Sequence, residues 1–159
     1  MQIVLVSDTH GRNEVFAQLR ERHPLANAYL HAGDSETDPM NLDGFASVQG
    51  NNDYYSAHPE QLVLDLGGVK VLMVHSHQYH ASNRLSGLVA RAKKAGATWV
   101  FYGHTHIYQV DQIDGITLVN PGSLWRNRDF TPESYALITL SEGSGEVQRI
   151  NFPRQPASR

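Results

Sequence analysis

At 159 residues, with 40% apolar and 18% charged residues, the chain suits one compact domain with a buried core. A formal net charge of −3 excludes global steering toward nucleic acid or an acidic membrane surface, so any anionic ligand must be attracted locally. Cysteine is absent, which excludes disulfides, thiolate metal sites, iron–sulfur clusters and thiol catalysis.

The opening segment, Met1 to Asp8, has no basic stretch and no long apolar run, so neither a signal peptide nor a membrane span is expected. The cytoplasm is the expected compartment. Residues 3–6 form an apolar run too short for a helix and predict a buried strand. Val15, Phe16 and Leu19 then mark a helical stripe that His23-Pro24 terminates. Residues 28–31 and 46–49 read as the second and third strands, and this strand–helix–strand opening suggests a parallel core.

Residues 62–66 and 69–74 flank Gly67-Gly68, a two-residue hairpin signal. Leu85, Leu88, Val89 and Ala92 follow at helical spacing, with Ser82 as the expected N-cap and Gly96 as the stop. Residues 99–102 predict a strand, and Asp114-Gly115 turns a hairpin between 109–113 and 116–119. Strands over 135–140 and 146–150 close a domain expected to span 1–152, with 153–159 as a flexible tail. About ten strands exceed what one twisted sheet holds comfortably, so two packed sheets with outer helices are expected.

The chain has nine histidines, and imidazole is the commonest metal ligand, so their positions matter. Asp8 and His10 follow the first predicted strand, Asp34 the second, and Asn51 and Asp53 the third. His75 and His77 follow the strand ending at Val74, and His104 and His106 the strand ending at Tyr102. In an open α/β sheet the carboxyl ends of parallel strands share one edge, where ligand crevices form. Each cluster alone reads as an ordinary turn. Together, five clusters of nitrogen and oxygen donors at strand ends point to a metal site. Mixed imidazole and carboxylate donors suit Mn, Fe, Zn, Co or Ni better than Ca or Mg.

The ordered set Asp8-x-His10, Gly33-Asp34, Gly50-Asn51-x-Asp53, His75 and Gly103-His104-x-His106 resembles the calcineurin-like metallophosphoesterase superfamily. Ser7-Asp8-Thr9-His10-Gly11 and Asn120-Pro121-Gly122-Ser123 look like its small prokaryotic phosphodiesterase branch, which is related to the eukaryotic retromer subunit of this fold. The resemblance implies an α/β protein, a four-layer α/β/β/α sandwich of two packed mixed sheets. It also implies that Asp8, His10 and His106 hold one metal, that Asn51, His75 and His104 hold a second, and that Asp34 bridges them. The expected cofactors are two divalent transition-metal ions, with Mn first and Fe, Zn, Ni or Co as alternatives. The expected reaction is attack of a metal-bridging hydroxide on a phosphodiester. The rival readings are a phosphomonoesterase or nucleotide phosphatase, and a metal-binding scaffold resembling the retromer subunit. A nuclease ranks low for want of a basic stripe.

Asn52 stands where many phosphomonoesterases of the superfamily carry histidine, and a neutral amide is no general acid. That favours diesters with good leaving groups. His77 joins Asp34 and Asn51 in the expected catalytic set as a group near the cluster, the alternative being an exposed loop histidine; His80 is a further candidate for assisting the leaving group. His31 is expected beneath Asp34, His23 and His58 in loops, and Asp53 behind Asn51 or a ligand histidine. Arg12, Arg84, Arg126 and Arg128 are candidate phosphate contacts or plain surface charges. Tyr54, Tyr55 and Trp125 are candidates to stack on a nucleobase or aryl group, the alternatives being to cover the core or to form a subunit contact. The expected partner is a small phosphate ester, and a homo-oligomer is compatible with the sequence.

Overall fold

The computed structural model describes residues 1–155. Its elements in chain order are β1 (Gln2–Val6), α1 (Glu14–Arg22), β2 (Ala28–His31), β3 (Ala46–Ser47), β4 (Gln61–Leu66), β5 (Val69–Val74), α2 (Arg84–Ala95), β6 (Trp99–Phe101), β7 (Tyr108–Ile113), β8 (Ile116–Pro121), β9 (Ser134–Ser141) and β10 (Ser144–Asn151). A single 3-10 turn, Pro39–Asn41, precedes β3. The strands form two five-stranded sheets, ordered β10-β9-β1-β2-β3 and β4-β5-β6-β8-β7. Each is mixed. In the first, β1, β2 and β3 run parallel; in the second, β5, β6 and β8 do.

Strand periodicity explains the layering. Along β1, Ile3 and Leu5 face the space between the sheets, while Val4 and Val6 face α1. Along β5, Val71 and Met73 point inward and Leu72 and Val74 pack on α2. Both strands are buried on both faces, which is why they read as unbroken apolar runs. Helix α1 contributes Val15, Phe16 and Leu19 to one outer core, and α2 contributes Leu88, Val89 and Ala92 to the other. The order is helix, sheet, sheet, helix, the four-layer sandwich expected from the resemblance.

Two local expectations change. The third strand is two residues rather than four, because Gln49 turns away to donate its backbone N–H to Pro59 O at 2.7 Å. Helix α2 is preceded by Asn83, not capped by Ser82; a turn bonded from Asn83 N to His80 O consumes the residues before it. Gly96 does stop α2, in the left-handed conformation. Of the expected tail, Pro153 to Gln155 line a cleft beside α1, and 156–159 lie outside the described residues.

Candidate metal centre

The parallel strands β1, β2, β3, β5, β6 and β8 deliver their carboxyl ends to one place. Loops from the two sheets are tied there by backbone bonds. Asp8 N donates to Gly33 O at 2.9 Å, His10 N to Asp34 O at 3.0 Å, and Gly103 N to His75 O at 3.2 Å. Side chains lock one sheet to the other. His75 Nδ1 donates to Ala32 O at 2.8 Å, His104 N to Asp8 Oδ2 at 3.0 Å, and Ser123 Oγ to Asp8 O at 2.7 Å.

All seven expected metal ligands meet in this crevice, in two groups. Asp8 Oδ1 lies 3.1 Å from His106 Nε2 and 3.8 Å from His10 Nε2, and the two imidazole nitrogens are 3.2 Å apart. In the second group Asn51 Oδ1 is 3.1 Å from both His75 Nε2 and His104 Nδ1. Asp34 Oδ2 stands between them, 3.9 Å from His10 Nε2 and 3.3 Å from His75 Nε2.

The hydrogen-bond partners around these donors fit a cation. His75 and His106 each donate Nδ1–H to a carbonyl oxygen, Ala32 and Arg126 respectively, which leaves the Nε2 lone pairs facing the crevice. His10 Nδ1 meets Glu36 Oε1 at 3.2 Å, directing its Nε2 inward as well. Asp8 Oδ2 accepts from Ser7 Oγ and His104 N, yet buried Oδ1 has no hydrogen-bond donor. These atoms converge as lone pairs once His75 gives up its proton, which is the arrangement a divalent ion satisfies.

The electrostatics agree. Burial opposes the charge on Asp8, but the His75 and His106 imidazoles and the Ser7 hydroxyl outweigh it and hold the carboxyl well below its usual range. Burial is likewise outweighed at Asp34 by its bond to His75. His75, despite burial, is raised to about 8 by Asp8 and Asp34. His104 is pushed down to about 4 by burial and by His75.

Five of the seven expected ligands, Asp8, His10, Asp34, His104 and His106, have positive φ between 46° and 76°. A left-handed backbone costs a non-glycine residue roughly 1 kcal/mol or more, so the crevice concentrates strain. Two neighbouring glycines are forced by close approach. A Cβ at Gly103 would sit 2.0 Å from Ser7 Oγ and 2.7 Å from Asp8 Oδ2, and one at Gly50 would sit 2.1 Å from Asp34 Oδ1.

The surrounding residues sort differently from their sequence reading. Asp53 braces neither Asn51 nor a histidine; its carboxylate accepts backbone N–H groups from Asp34, Gly50 and Glu36 at 2.7, 2.8 and 2.7 Å, shaping the Asp34 loop. Asn52 donates to both Asp34 oxygens, from its backbone N at 2.9 Å and its amide at 3.0 Å. His31 is buried beneath the loop as expected, accepting from Gly33 N and therefore donating Nε2–H to Thr9 Oγ1, and burial pushes it down to about 3. His58 lies in a loop but is buried, with Nε2 2.7 Å from Thr37 O. His23 caps α1 and meets the Tyr135 hydroxyl at 2.6 Å. His77 stands beside His75 and His104, with a buried Nδ1 lacking any partner.

Three of the four arginines are committed in part to the backbone. Arg12 donates to Leu124 O, Arg84 to Tyr79 O, and Arg128 to His104 O. Trp125 sets its ring edge-on to His10 at 5.3 Å, whereas Tyr54 and Tyr55 are exposed and stack only on each other. Glu36 escaped the sequence reading, and Asn120 entered it only as part of a family motif, with no role assigned. Asn120 donates to Gly103 O at 3.2 Å and to Thr105 Oγ1 at 2.9 Å, bracing the His104 loop.

Residues 1–143 match the calcineurin-like phosphoesterase superfamily domain. The chain belongs to that superfamily. It is 32% identical over 151 residues to the probable metallophosphoesterase YsnB of Bacillus subtilis, covering 93% of this chain and 89% of that one. A predicted phosphoesterase from Streptococcus pneumoniae TIGR4, 28% identical, superposes with a TM-score of 0.87 over 98% of this chain and 93% of its own. An archaeal phosphodiesterase (94% and 100% covered) and zinc-complexed Vps29 from Entamoeba histolytica (95% and 99%) share the fold at 19% identity, each with a TM-score of 0.70. The superfamily uses divalent metals, and the described residues include two donor clusters suited to them. No helix among the described residues is long and apolar enough to cross a membrane.

Proposed function

We propose that the chain is a phosphodiesterase that hydrolyses a small phosphate ester at a binuclear metal site. The observation that carries this reading is Asp34 Oδ2, placed between an Asp8–His10–His106 group and an Asn51–His75–His104 group. A pair of divalent ions held there supplies an activated water and polarises the phosphoryl oxygen. The chain's own residues do the rest. Asp34 joins the two halves, and Asn52 holds its carboxylate in place. Asn51 offers a neutral oxygen that leaves the centre net positive and so able to draw in a phosphate anion. His77, neutral because burial and His75 lower its pKa, offers an N–H to a phosphoryl oxygen.

The diester preference rests on Asn52. Its amide is spent on Asp34, and the position holds no proton donor for the departing oxygen. Leaving groups that depart without protonation are then favoured. Manganese in the cytoplasm is the setting we assign.

The test measures metal content, then hydrolysis of bis-p-nitrophenyl phosphate and p-nitrophenyl phosphate with added Mn²⁺, for the native chain and Asp34→Asn. The expected result is metal-dependent turnover favouring the diester, lost in Asp34→Asn. No turnover of either ester returns the chain to the scaffold reading, and monoester preference makes it a phosphomonoesterase.

A further inference from the structure

A cleft of about 890 Å³ opens from the metal centre, with His10 and Trp125 at its mouth, α1 along one wall and Phe152 to Arg154 along the other. Three arginines, Arg12, Arg22 and Arg154, line it against two glutamates, Glu14 and Glu21. Phe152 is flanked by two guanidinium groups, with Arg12 Cζ 5.7 Å and Arg22 Cζ 5.0 Å from the ring centre. Arg154 Cζ lies 5.5 Å from the centre of Trp125. Two of these cations are partly neutralised, Arg12 by Glu14 at 3.0 Å and Arg154 by Glu133 at 3.9 Å. Among the described residues, Arg22 forms no ion pair with a carboxylate.

We infer that this cleft is the subsite for one arm of the diester, and that the arm is a nucleotide carrying a second phosphate. The inference rests on the phosphodiesterase reading and names its substrate class. The cleft begins at His10, so its occupant is continuous with the phosphate at the metal centre. Trp125, 40% exposed, presents a flat apolar surface at the mouth, where a nucleobase packs. Further along, a phosphate beside Phe152 meets the Arg22 guanidinium fork, the group best matched to its oxygens, with Arg12, already bonded to Glu14 and Leu124 O, adding only its residual charge. The volume lies within the range of small-molecule pockets and accommodates a nucleotide arm with its second phosphate. Glu14 and Glu21 on the same wall discourage a longer polyanion, in keeping with the net charge of −3.

The test compares kcat/KM for the dithymidine diesters TpT, pTpT and TpTp, which differ only in a terminal phosphate. Bis-p-nitrophenyl phosphate is the reference, and the proteins are the native chain, Arg22→Gln and Arg22→Lys. One terminal phosphate should raise kcat/KM about ten-fold over TpT, chiefly through KM. The gain should vanish in Arg22→Gln and return in part in Arg22→Lys, with the reference diester unchanged throughout, which also reports intact folding. Equal values for the three diesters, or a gain that survives Arg22→Gln, overturns the inference and leaves the phosphodiesterase standing. Should no ester be hydrolysed, that function falls instead. Calorimetric titration with pTpT then judges the cleft: about ten-fold weaker binding to Arg22→Gln supports it, and equal binding overturns it.

Discussion

His10 Nε2 and His106 Nε2 face each other across 3.2 Å, each ring having its other nitrogen engaged, with Glu36 and Arg126 O respectively. Two lone pairs at that distance repel unless a cation or proton lies between them. Metal should therefore stabilise the fold, by about 2.7 kcal/mol at a free concentration of a hundred times Kd. Thermal melts with Mn²⁺ and with chelator check this. His106→Ala should lower the bound metal from two ions per chain to one and shrink the melting shift accordingly.

Proton competition at His75 gives metal binding a pH dependence. Its folded pKa, about 8, lies above the ordinary 6.5, because Asp8 and Asp34 favour the imidazolium despite burial. In the metal-free chain that contribution to stability is complete below 6.5 and is lost as the pH rises through 8. A metal must displace the proton, so apparent affinity should fall by up to ten-fold for each pH unit below 8. Calorimetric titrations at pH 6, 7, 8 and 9 should show a steep lower limb and a plateau. A flat profile rules out His75 as the ligand that exchanges a proton for metal.

Asp53 shapes the Asp34 loop through three backbone N–H groups, two of them buried. Asp53→Ala leaves them without acceptors, at a cost of roughly 3 kcal/mol in unfolding free energy. Urea denaturation measures that loss. Metal affinity should fall in the same variant although Asp53 touches no metal.

Gly103→Ala drives a Cβ into Ser7 Oγ and Asp8 Oδ2. Overpacking of this kind costs roughly 1–3 kcal/mol, and here it also displaces a proposed metal ligand, so bound metal should drop. Gly115→Ala is the contrast. Its φ of +78° strains an added side chain, but no atom lies within 4 Å, so it should cost roughly 1 kcal/mol and leave metal content intact.

The ten strands, the two helices and the strand-end placement of Asp8, Asp34, Asn51, His75 and His104 were legible because period-two burial and turn residues are local signals. The length of β3 was not, since Gln49 leaves the sheet for a bond to Pro59, ten residues on. His58 reads as a loop residue beside a proline, and it is one. Only the fold reveals that the loop is buried against Ser35 and Thr37.

By itself, the order of donor residues along the chain was enough to identify the superfamily and, through that resemblance, the expected ligand set, because the donor types recur in a fixed order at strand ends. Tertiary structure decided how each donor is aimed. The Nδ1 bonds of His75 and His106 to Ala32 O and Arg126 O set their tautomers, and the strained left-handed turns point Asp8, His10, Asp34, His104 and His106 into one crevice. It also decided that Asn52 serves Asp34, that Asp53 serves backbone, and that Arg22 and Phe152 meet beside the site. Those bonds and contacts join residues between 18 and 130 positions apart, and a hydrogen bond or a guanidinium over a ring depends on ångström-scale placement that residue type and spacing do not encode.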